Sequence, residues 1–333
     1  MVSIKIMNKK VLVCGAGSIG KRHIENLLNL GVNVLVWRTQ INLLKNIAKE
    51  YNVETYENLD IAIENADAVI VATASDQHIE IALKVLNANK PLFIEKPVSN
   101  NWENIDKLLE LSKNKIIEIG CQFRMHPNLI KLNQILQKKE TANLLTYRLA
   151  MGQRLDAWRK NVDYKKGYSS DEKRGGGALF DLIHQIDIAI WLFGPVLSVN
   201  AVLSKRSELL ISGDDVTNLL LTHTNGLTGH IQLDMASPVY RCEAEVMTGD
   251  SIFKWSFSDS SLYNYTTEKK EIINKLDDEY NRNSMFIDHM KHFLIRIDNN
   301  EILPACSLDD GIAALRVALC ARESNLTGNK ISI

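Results

Sequence analysis

The sequence predicts an α/β protein of two domains: a doubly wound parallel sheet over residues 1–122, then an α/β domain with an open, mostly antiparallel sheet over residues 123–333. Three observations predict it. The chain has 333 residues, enough to bury two cores. Up to about residue 122, short apolar runs alternate with helical patterns, the grammar of parallel strands covered on both faces. Beyond that point strands follow one another, with few helices between them.

Taken in order, "KVLVCG" is a strand and "SIGKRHIENLLNL" a helix closed by Gly31. "VNVLVW" is the second strand, and "TQINLLKNIAKEY" a helix that Thr39 can cap. "ADAVIVATA" is almost wholly apolar, hence a strand buried on both faces; Ser75 can cap the following "DQHIEIALKVLNAN". "KPLFIEKP" is a strand ended by Pro97, "NNWENIDKLLELSKN" a helix and "KIIEIGCQF" a further strand. Pro127 then opens a helix, residues 143–152 form a strand, and a long polar loop runs from Gln153 to Arg174. "GGGALFDLIHQIDIAIWLFGP" holds one helix, starting after the glycines and stopping at Gly194-Pro195. "DDVTNLLLTHTNGLTGHIQLDMAS" reads as a hairpin turning at Asn225-Gly226. Strands continue to about residue 267, and two helical patterns close the chain, the last expected to pack back on the first domain.

The formal net charge is -1, so no broad basic field invites nucleic acid or acidic lipid. No apolar run approaches the roughly 20 residues of a membrane helix. "MVSIKIMNKK" lacks the apolar core and cleavage site of a signal peptide. These features predict a cytoplasmic protein. Five scattered cysteines fit reduced, buried thiols better than a disulfide frame or zinc site.

Gly15, Gly17 and Gly20 spell G-x-G-x-x-G between a buried strand and a helix. The first permits the tight turn, the second lets backbone approach a pyrophosphate, and the third lets helix and strand pack closely. With Ser18 and Ile19 they make the phosphate cradle of a Rossmann dinucleotide-binding domain. The end of the second strand, where NAD sites place an acid, carries Trp37, Arg38 and Thr39. A carboxylate would repel a 2′-phosphate and arginine pairs with it, so NADP is favoured. A solvated Arg38 stacked on the adenine would leave NAD usable. Thr73, Ala74, His78, Glu95, Lys96, Pro97 and Gln122 lie at or after later strand ends, where the ligands of such sheets bind, and complete the expected cofactor contacts.

Lys96 can also donate to a substrate hydroxyl and stabilise oxyanion character. In "DLIHQID", Asp181 and His184 stand three apart, on one face if the helix is continuous. A histidine there can take a hydroxyl proton as hydride leaves. His289 and His292 are half of a metal site without further ligands at recognisable spacing, so no metal is expected. Tyr147, Trp158, Arg159 and Tyr164 offer planes and a guanidinium suited to a sugar or phosphate.

The stretches "GAGSIGKRH", "DAVIVATASDQH", "EKPVS", "GCQFRMHP", "GGGALFDLIHQIDIAIWLFG" and "PACSLDDGIAALRVALCA" together resemble the Gfo/Idh/MocA oxidoreductases, the family of glucose-fructose oxidoreductase and inositol dehydrogenase. The resemblance spans nearly the whole chain. It implies nicotinamide-dependent oxidation or reduction at a sugar or cyclitol carbon, in a homodimer or homotetramer joined through the C-terminal sheets. It also implies Lys96 and His184 as catalytic groups, with Asp181 beside them. Many members have three residues between this Asp and His; here only Leu182 and Ile183 intervene, which shifts helical phase by about 100°. The shorter spacing and "QRLDAWRKNVDYKKGYS" resemble a subgroup acting in surface-sugar and nucleotide-sugar pathways.

The reading is therefore an NAD(P)-dependent sugar dehydrogenase. Lys96, His184 and Asp181 do the chemistry, and Arg124, Trp158, Arg159 and Tyr164 orient a nucleotide sugar or amino-sugar precursor. Asp187 is an alternative site carboxylate. Two rivals remain, a reductase of C=N or conjugated C=C bonds on the same scaffold and a non-enzymatic NADP-binding regulator.

Overall fold

A computed structural model describes residues 9–138, 144–158, 163–277 and 279–333. The described chain divides into two compact units. Residues up to Gln122 join Arg282–Leu308 in the first; Phe123–Asn281 and Asp309–Ile333 make the second.

The first unit is a parallel sheet of β1 (Lys10–Cys14), β2 (Asn33–Trp37), β3 (Glu54–Tyr56), β4 (Ala68–Val71), β5 (Leu92–Glu95) and β6 (Ile117–Gly120). Their order is β3-β2-β1-β4-β5-β6, and every pairing is parallel. Every residue of β4, β5 and β6 is buried; β4 accordingly reads as an unbroken apolar run, while β5 and β6 each bury a glutamate, Glu95 and Glu118. Between the strands lie the helices Ser18–Asn29, Leu44–Tyr51, Leu59–Glu64, His78–Asn87 and Ile105–Ser112.

Several local expectations are corrected. Thr39 caps nothing: a 3₁₀ turn at Ile41–Leu43 precedes the helix, which starts at Leu44. Ser75 lies inside another 3₁₀ turn, and its helix begins at His78. Strand β3 and the helix Leu59–Glu64, capped by the Asn58 side chain accepting from the Ile61 amide at 3.1 Å, follow stretches too short and mixed to announce themselves.

The domain boundary also needs amending. The helix Arg282–Asp298 belongs to the first unit. Its Met290, Phe293 and Leu294 share a core with Val11, Val13, Ile24, Val36 and Ile70. The final helix, Leu308–Thr327, lies in the second unit from Asp309 onward. There Ser324 and Asn325 accept from the Ala201 and Leu203 amides at 3.0 and 2.8 Å. It is thus the penultimate helix, with three large apolar side chains on one face, that completes the first core.

The second unit's strands are β7 (Leu144–Gly152), β8 (Val196–Ser204), β9 (Val216–His223), β10 (Thr228–Asp234), β11 (Arg241–Thr248), β12 (Ile252–Ser256), β13 (Ser261–Tyr265), β14 (Lys270–Lys275) and β15 (Ile331–Ser332). They form one sheet in the order β14-β13-β12-β11-β7-β10-β9-β8-β15. Among the described residues the central pair β7–β10 is parallel and the other neighbours are antiparallel. Burial alternates along β9 and β11, so one face is covered and the other open. The helix His184–Phe193 packs on the covered face, where Phe193 stacks on Tyr147 at 4.1 Å. The hairpin turn is where expected, with Gly226 at φ 85°.

Candidate active site

In the first unit β1 lies between β2 and β4, where the strand order reverses. The C-terminal ends of β1, β4, β5 and β6 lead into Gly15, Thr73, Lys96 and Gln122, on the edge of the sheet where ligands of such folds bind. Gly15 has φ 101°, its amide donates to the Trp37 carbonyl at 2.7 Å, and an added Cβ would come within 2.6 Å of the Ala72 oxygen. A Cβ on Gly20 would collide with the Gly15 carbonyl.

Gly17 differs. A Cβ there would meet no heavy atom within 4 Å, so nothing in the described protein requires glycine. Its bareness suits a group outside the chain brought against the backbone. Gly17 caps Ser18–Asn29, a helix with no acid in its first turn, whose amides and dipole favour an anion. Close by in the fold, the Thr73 Oγ1 is buried and lacks a hydrogen-bond partner. Both features fit a bound nicotinamide dinucleotide.

At the second strand's end, Trp37 is half-buried and donates from Nε1 to the Glu57 carbonyl at 3.3 Å; Thr39 is exposed. Arg38 bonds the Gln40 side chain at 2.6 Å, and no carboxylate pairs with it among the described residues. Burial lowers its pKa, though far from enough to discharge a guanidinium.

His78 is buried, with its ring nitrogens 2.8 Å from the Pro97 oxygen and 3.1 Å from the Thr73 oxygen. Burial lowers its pKa against the pull of those two carbonyls. It ties two strand-end turns together, with both nitrogens facing the protein. The Lys96-Pro97 peptide is cis. Glu95, expected among the cofactor contacts, turns inward: its carboxylate is 2.6 Å from His23 Nε2 and both groups are buried. Gln122 is buried.

His289 and His292 both face one buried carboxylate. Their Nε2 and Nδ1 lie 3.1 and 3.3 Å from Glu118 Oε1. Arg296 Nη1 reaches Glu118 Oε2 at 2.6 Å. Burial alone would raise the Glu118 pKa, yet the two histidines hold it well below the ordinary range.

In the second unit the expected single helix is broken. Ala178–Asp181 and His184–Phe193 are separate helices, joined by a tightened turn in which Ile183 N bonds Phe180 O at 3.4 Å and Ile186 N bonds Ile183 O at 2.9 Å. A phase count along a continuous helix therefore does not carry from Asp181 to His184. The preceding glycines set the start of the first of these helices. Gly177 has φ 103°, and a Cβ on it would come within 2.6 Å of the Asp214 carboxylate. Asp214 in turn accepts from the Leu179 amide at 2.9 Å and from Thr217 Oγ1. Burial raises its pKa.

Asp181 is buried, and its Oδ1 accepts from the Tyr168 hydroxyl at 2.7 Å. His184 is buried at the start of its helix, edge-on to Phe123 at 5.0 Å. Arg124, expected among sugar contacts, is buried and spent on acids. Its Nη2 reaches Asp187 at 2.6 Å and its Nη1 reaches Asp310 at 3.0 Å. Asp187 is thereby a partner of Arg124. Trp158 donates to the Gln153 carbonyl at 2.9 Å, and the Tyr164 hydroxyl accepts from the Leu210 amide at 3.1 Å; both are half-buried in the loop. Tyr147 is buried, with its hydroxyl 2.8 Å from His223 Nε2, so it belongs to the core. Arg159 lies outside the described residues.

Sequence reasoning missed Tyr168, His23 and Asp214. Tyr168 and His23 stand inside motifs already singled out, "KKGYS" and "GKRH", but their partners are far along the chain.

None of the five cysteines is in a disulfide. Among the described residues no single helix is long and apolar enough to cross a membrane.

Comparison with known proteins matches residues 9–120 to the model of an oxidoreductase family with an NAD-binding Rossmann fold, and residues 129–250 to the GFO/IDH/MocA C-terminal domain. The myo-inositol 2-dehydrogenase of Thermotoga maritima is 25% identical over 339 aligned positions, covering 95% of this chain and 96% of its own. Levoglucosan dehydrogenase in complex with NADH has the same fold, with TM-score 0.86, 18% identity and coverage of 98% and 99%. So does the WlbA dehydrogenase from Bordetella pertussis in complex with NADH and UDP-GlcNAcA, with TM-score 0.80, 18% identity and the same coverage.

Proposed function

The chain belongs to the Gfo/Idh/MocA oxidoreductase family, and from that premise we propose that it transfers a hydride between bound nicotinamide and a secondary-alcohol carbon of a sugar. The observation that carries the proposal is the edge of the first sheet. It sets the bare Gly17 helix start, the unpartnered Thr73 hydroxyl and Lys96 on successive C-terminal strand ends.

Each residue has a role in this reading. Gly15, Gly17, Ser18, Ile19 and Gly20 hold the pyrophosphate. Arg38 meets a 2′-phosphate, which favours NADP over NAD. Lys96 donates to the reacting oxygen and stabilises negative charge building there. His184 takes the hydroxyl proton, or returns it in the reverse direction. Asp181, steadied by Tyr168, binds and orients the ring. Trp158, Arg159 and Tyr164 orient it too.

A nucleotide sugar or amino-sugar precursor is the favoured substrate, supported by the polar loop 153–174 and by the likeness to a dehydrogenase whose complex contains UDP-GlcNAcA. The open sheet face, with Val202 and Leu220 exposed, supports a homodimer or homotetramer.

The test is to purify the protein, identify any retained nucleotide, and screen sugars and nucleotide sugars for cofactor fluorescence change with NAD and NADP. Turnover of a sugar alcohol is expected. Failure to bind either nucleotide would overturn the reading.

A further inference from the structure

The glycine-loop helix and the strand that carries Lys96 are joined by one buried polar contact. His23 lies on the helix Ser18–Asn29, one turn beyond Gly20. Its Nε2 is 2.6 Å from Oε1 of Glu95, the residue before Lys96. The His23 and Glu95 side chains are 1% and 5% exposed.

The surroundings are fitted to this contact. Glu95 pairs with Gly120 across the sheet, and a Cβ on Gly120 would press on the Glu95 carboxyl at 3.0 Å, so the missing side chain makes room for it. The His23 ring is held edge-on by Phe93, two residues before Glu95, at 5.6 Å, and by Phe286 of the helix Arg282–Asp298 at 6.3 Å. Arg22 covers the Phe286 ring at 4.6 Å. The charged and titratable groups acting on Glu95 are His23 and Arg22 from the glycine-loop helix, Lys96 beside it, and His289 from the helix Arg282–Asp298. Burial alone would raise the Glu95 pKa, but the His23 hydrogen bond and the charges of His23, Lys96 and His289 hold it below the ordinary carboxylate range.

We propose that His23 is a positioning residue: through Glu95 it fixes the strand-end turn that carries Lys96 relative to the helix that receives the cofactor phosphates. The proposal rests on the reading of Lys96 as the group that polarises the substrate oxygen. A carboxyl buried without a partner takes up a proton rather than keep its charge. Removing the His23 donor therefore discharges Glu95 and loosens the turn, without touching any residue assigned to cofactor or sugar.

The experiment compares His23→Leu, His23→Gln and Glu95→Gln. It measures NADP(H) affinity, sugar kcat and KM, and the titration of the Glu95 carboxyl by ¹³C NMR, with the signal assigned by its loss in Glu95→Gln. His23→Leu and Glu95→Gln are expected to lower kcat about tenfold or more, with cofactor Kd within about threefold. His23→Gln, which keeps an N–H donor, is expected to restore most of kcat. The Glu95 carboxyl should titrate below the ordinary range in the wild type and His23→Gln, and above it in His23→Leu.

Unchanged kcat in both His23→Leu and Glu95→Gln, or an unmoved Glu95 titration in His23→Leu, would overturn the proposal. Should His23→Leu fail to fold, Glu95→Gln against His23→Gln decides: parity with wild-type kcat in the former, or tenfold loss in the latter, is the contrary result. A wild type that turns over no sugar counts against the dehydrogenase reading instead, and the carboxyl titration still reports on the His23–Glu95 pair.

Discussion

The Tyr168 hydroxyl donates to Asp181 Oδ1 over 2.7 Å, joining the end of the polar loop to a carboxylate three residues before His184. Removing the donor leaves a buried acceptor with less support, a loss of about 1–2 kcal/mol. Tyr168→Phe is therefore expected to lower sugar kcat/KM about tenfold, with cofactor affinity nearly unchanged and the melting temperature lowered by about a few degrees. Steady-state kinetics beside a thermal melt checks this. A large fall in melting temperature with intact kinetics would show that Tyr168 serves only the loop's stability.

Arg124 is expected to act on stability first. Its side chain is 5% exposed and that of its partner Asp187 1%, and taking away one member of a buried pair costs about 3 kcal/mol. Asp187→Ala should lower the urea midpoint accordingly. Sugar KM in the folded fraction should stay within about threefold, since the Asp187 carboxylate is buried against Arg124 and carries no role toward the sugar.

His126 makes an acid-sensitive contribution. Burial pushes it down to about 4, among the rings of Trp255, Phe257 and Tyr280, while its Nδ1 accepts from the Asn128 amide at 3.2 Å. The unfolded chain takes the proton near pH 6.5 and the folded protein resists it. The stabilisation is thus fully present above that pH and is lost as pH falls toward 4. At pH 5 the expected loss from this group is about 2 kcal/mol. His126→Phe should flatten this part of the stability profile, measured by urea unfolding between pH 7.5 and 5. A parallel slope in the variant would show that other groups dominate.

In the proposed function, Arg38 is the residue that would set a preference for NADP. It bonds the Gln40 side chain, and among the described residues no acid pairs with it, which leaves its charge to meet a 2′-phosphate in the proposed reading. Arg38→Asp should weaken NADP binding about 100-fold or more by replacing attraction with repulsion, while NAD affinity holds or improves. Fluorescence titration with both reduced cofactors measures it. A wild-type preference for NAD that survives in Arg38→Asp would remove Arg38 from this role.

The elements that positioned these groups were mostly legible. Buried parallel strands such as Ala68–Val71 declare themselves as apolar runs, Gly15 and Gly226 mark turns at positive φ, and Gly20 marks the close approach of its helix to the Gly15 carbonyl. What was not legible depended on distant partners. Arg124 and Asp187 are 63 positions apart and His23 and Glu95 are 72 apart, so no local pattern reveals that these side chains meet. The break between Asp181 and His184 was hidden because "DLIHQID" is sound helical sequence. The glycine run and Asp214, a carboxylate beyond the strand Val196–Ser204 in sequence, fix where the first of the two helices starts. The helix Arg282–Asp298 was recognised as a helix, but which core received Met290, Phe293 and Leu294 is a property of the assembled fold.

The central claim is that a hydride leaves a sugar carbon for the nicotinamide while His184 takes the hydroxyl proton. Isotope transfer tests it most directly. The protein is given NADP⁺ or NAD⁺ and a panel of sugars and nucleotide sugars deuterated at the ring carbons, and the reduced cofactor is weighed by mass spectrometry. The account predicts one deuterium in the reduced cofactor with at least one nucleotide sugar, and transfer reduced at least 100-fold in His184→Asn. Bound cofactor that acquires no deuterium from any sugar, or undiminished transfer in His184→Asn, would contradict it.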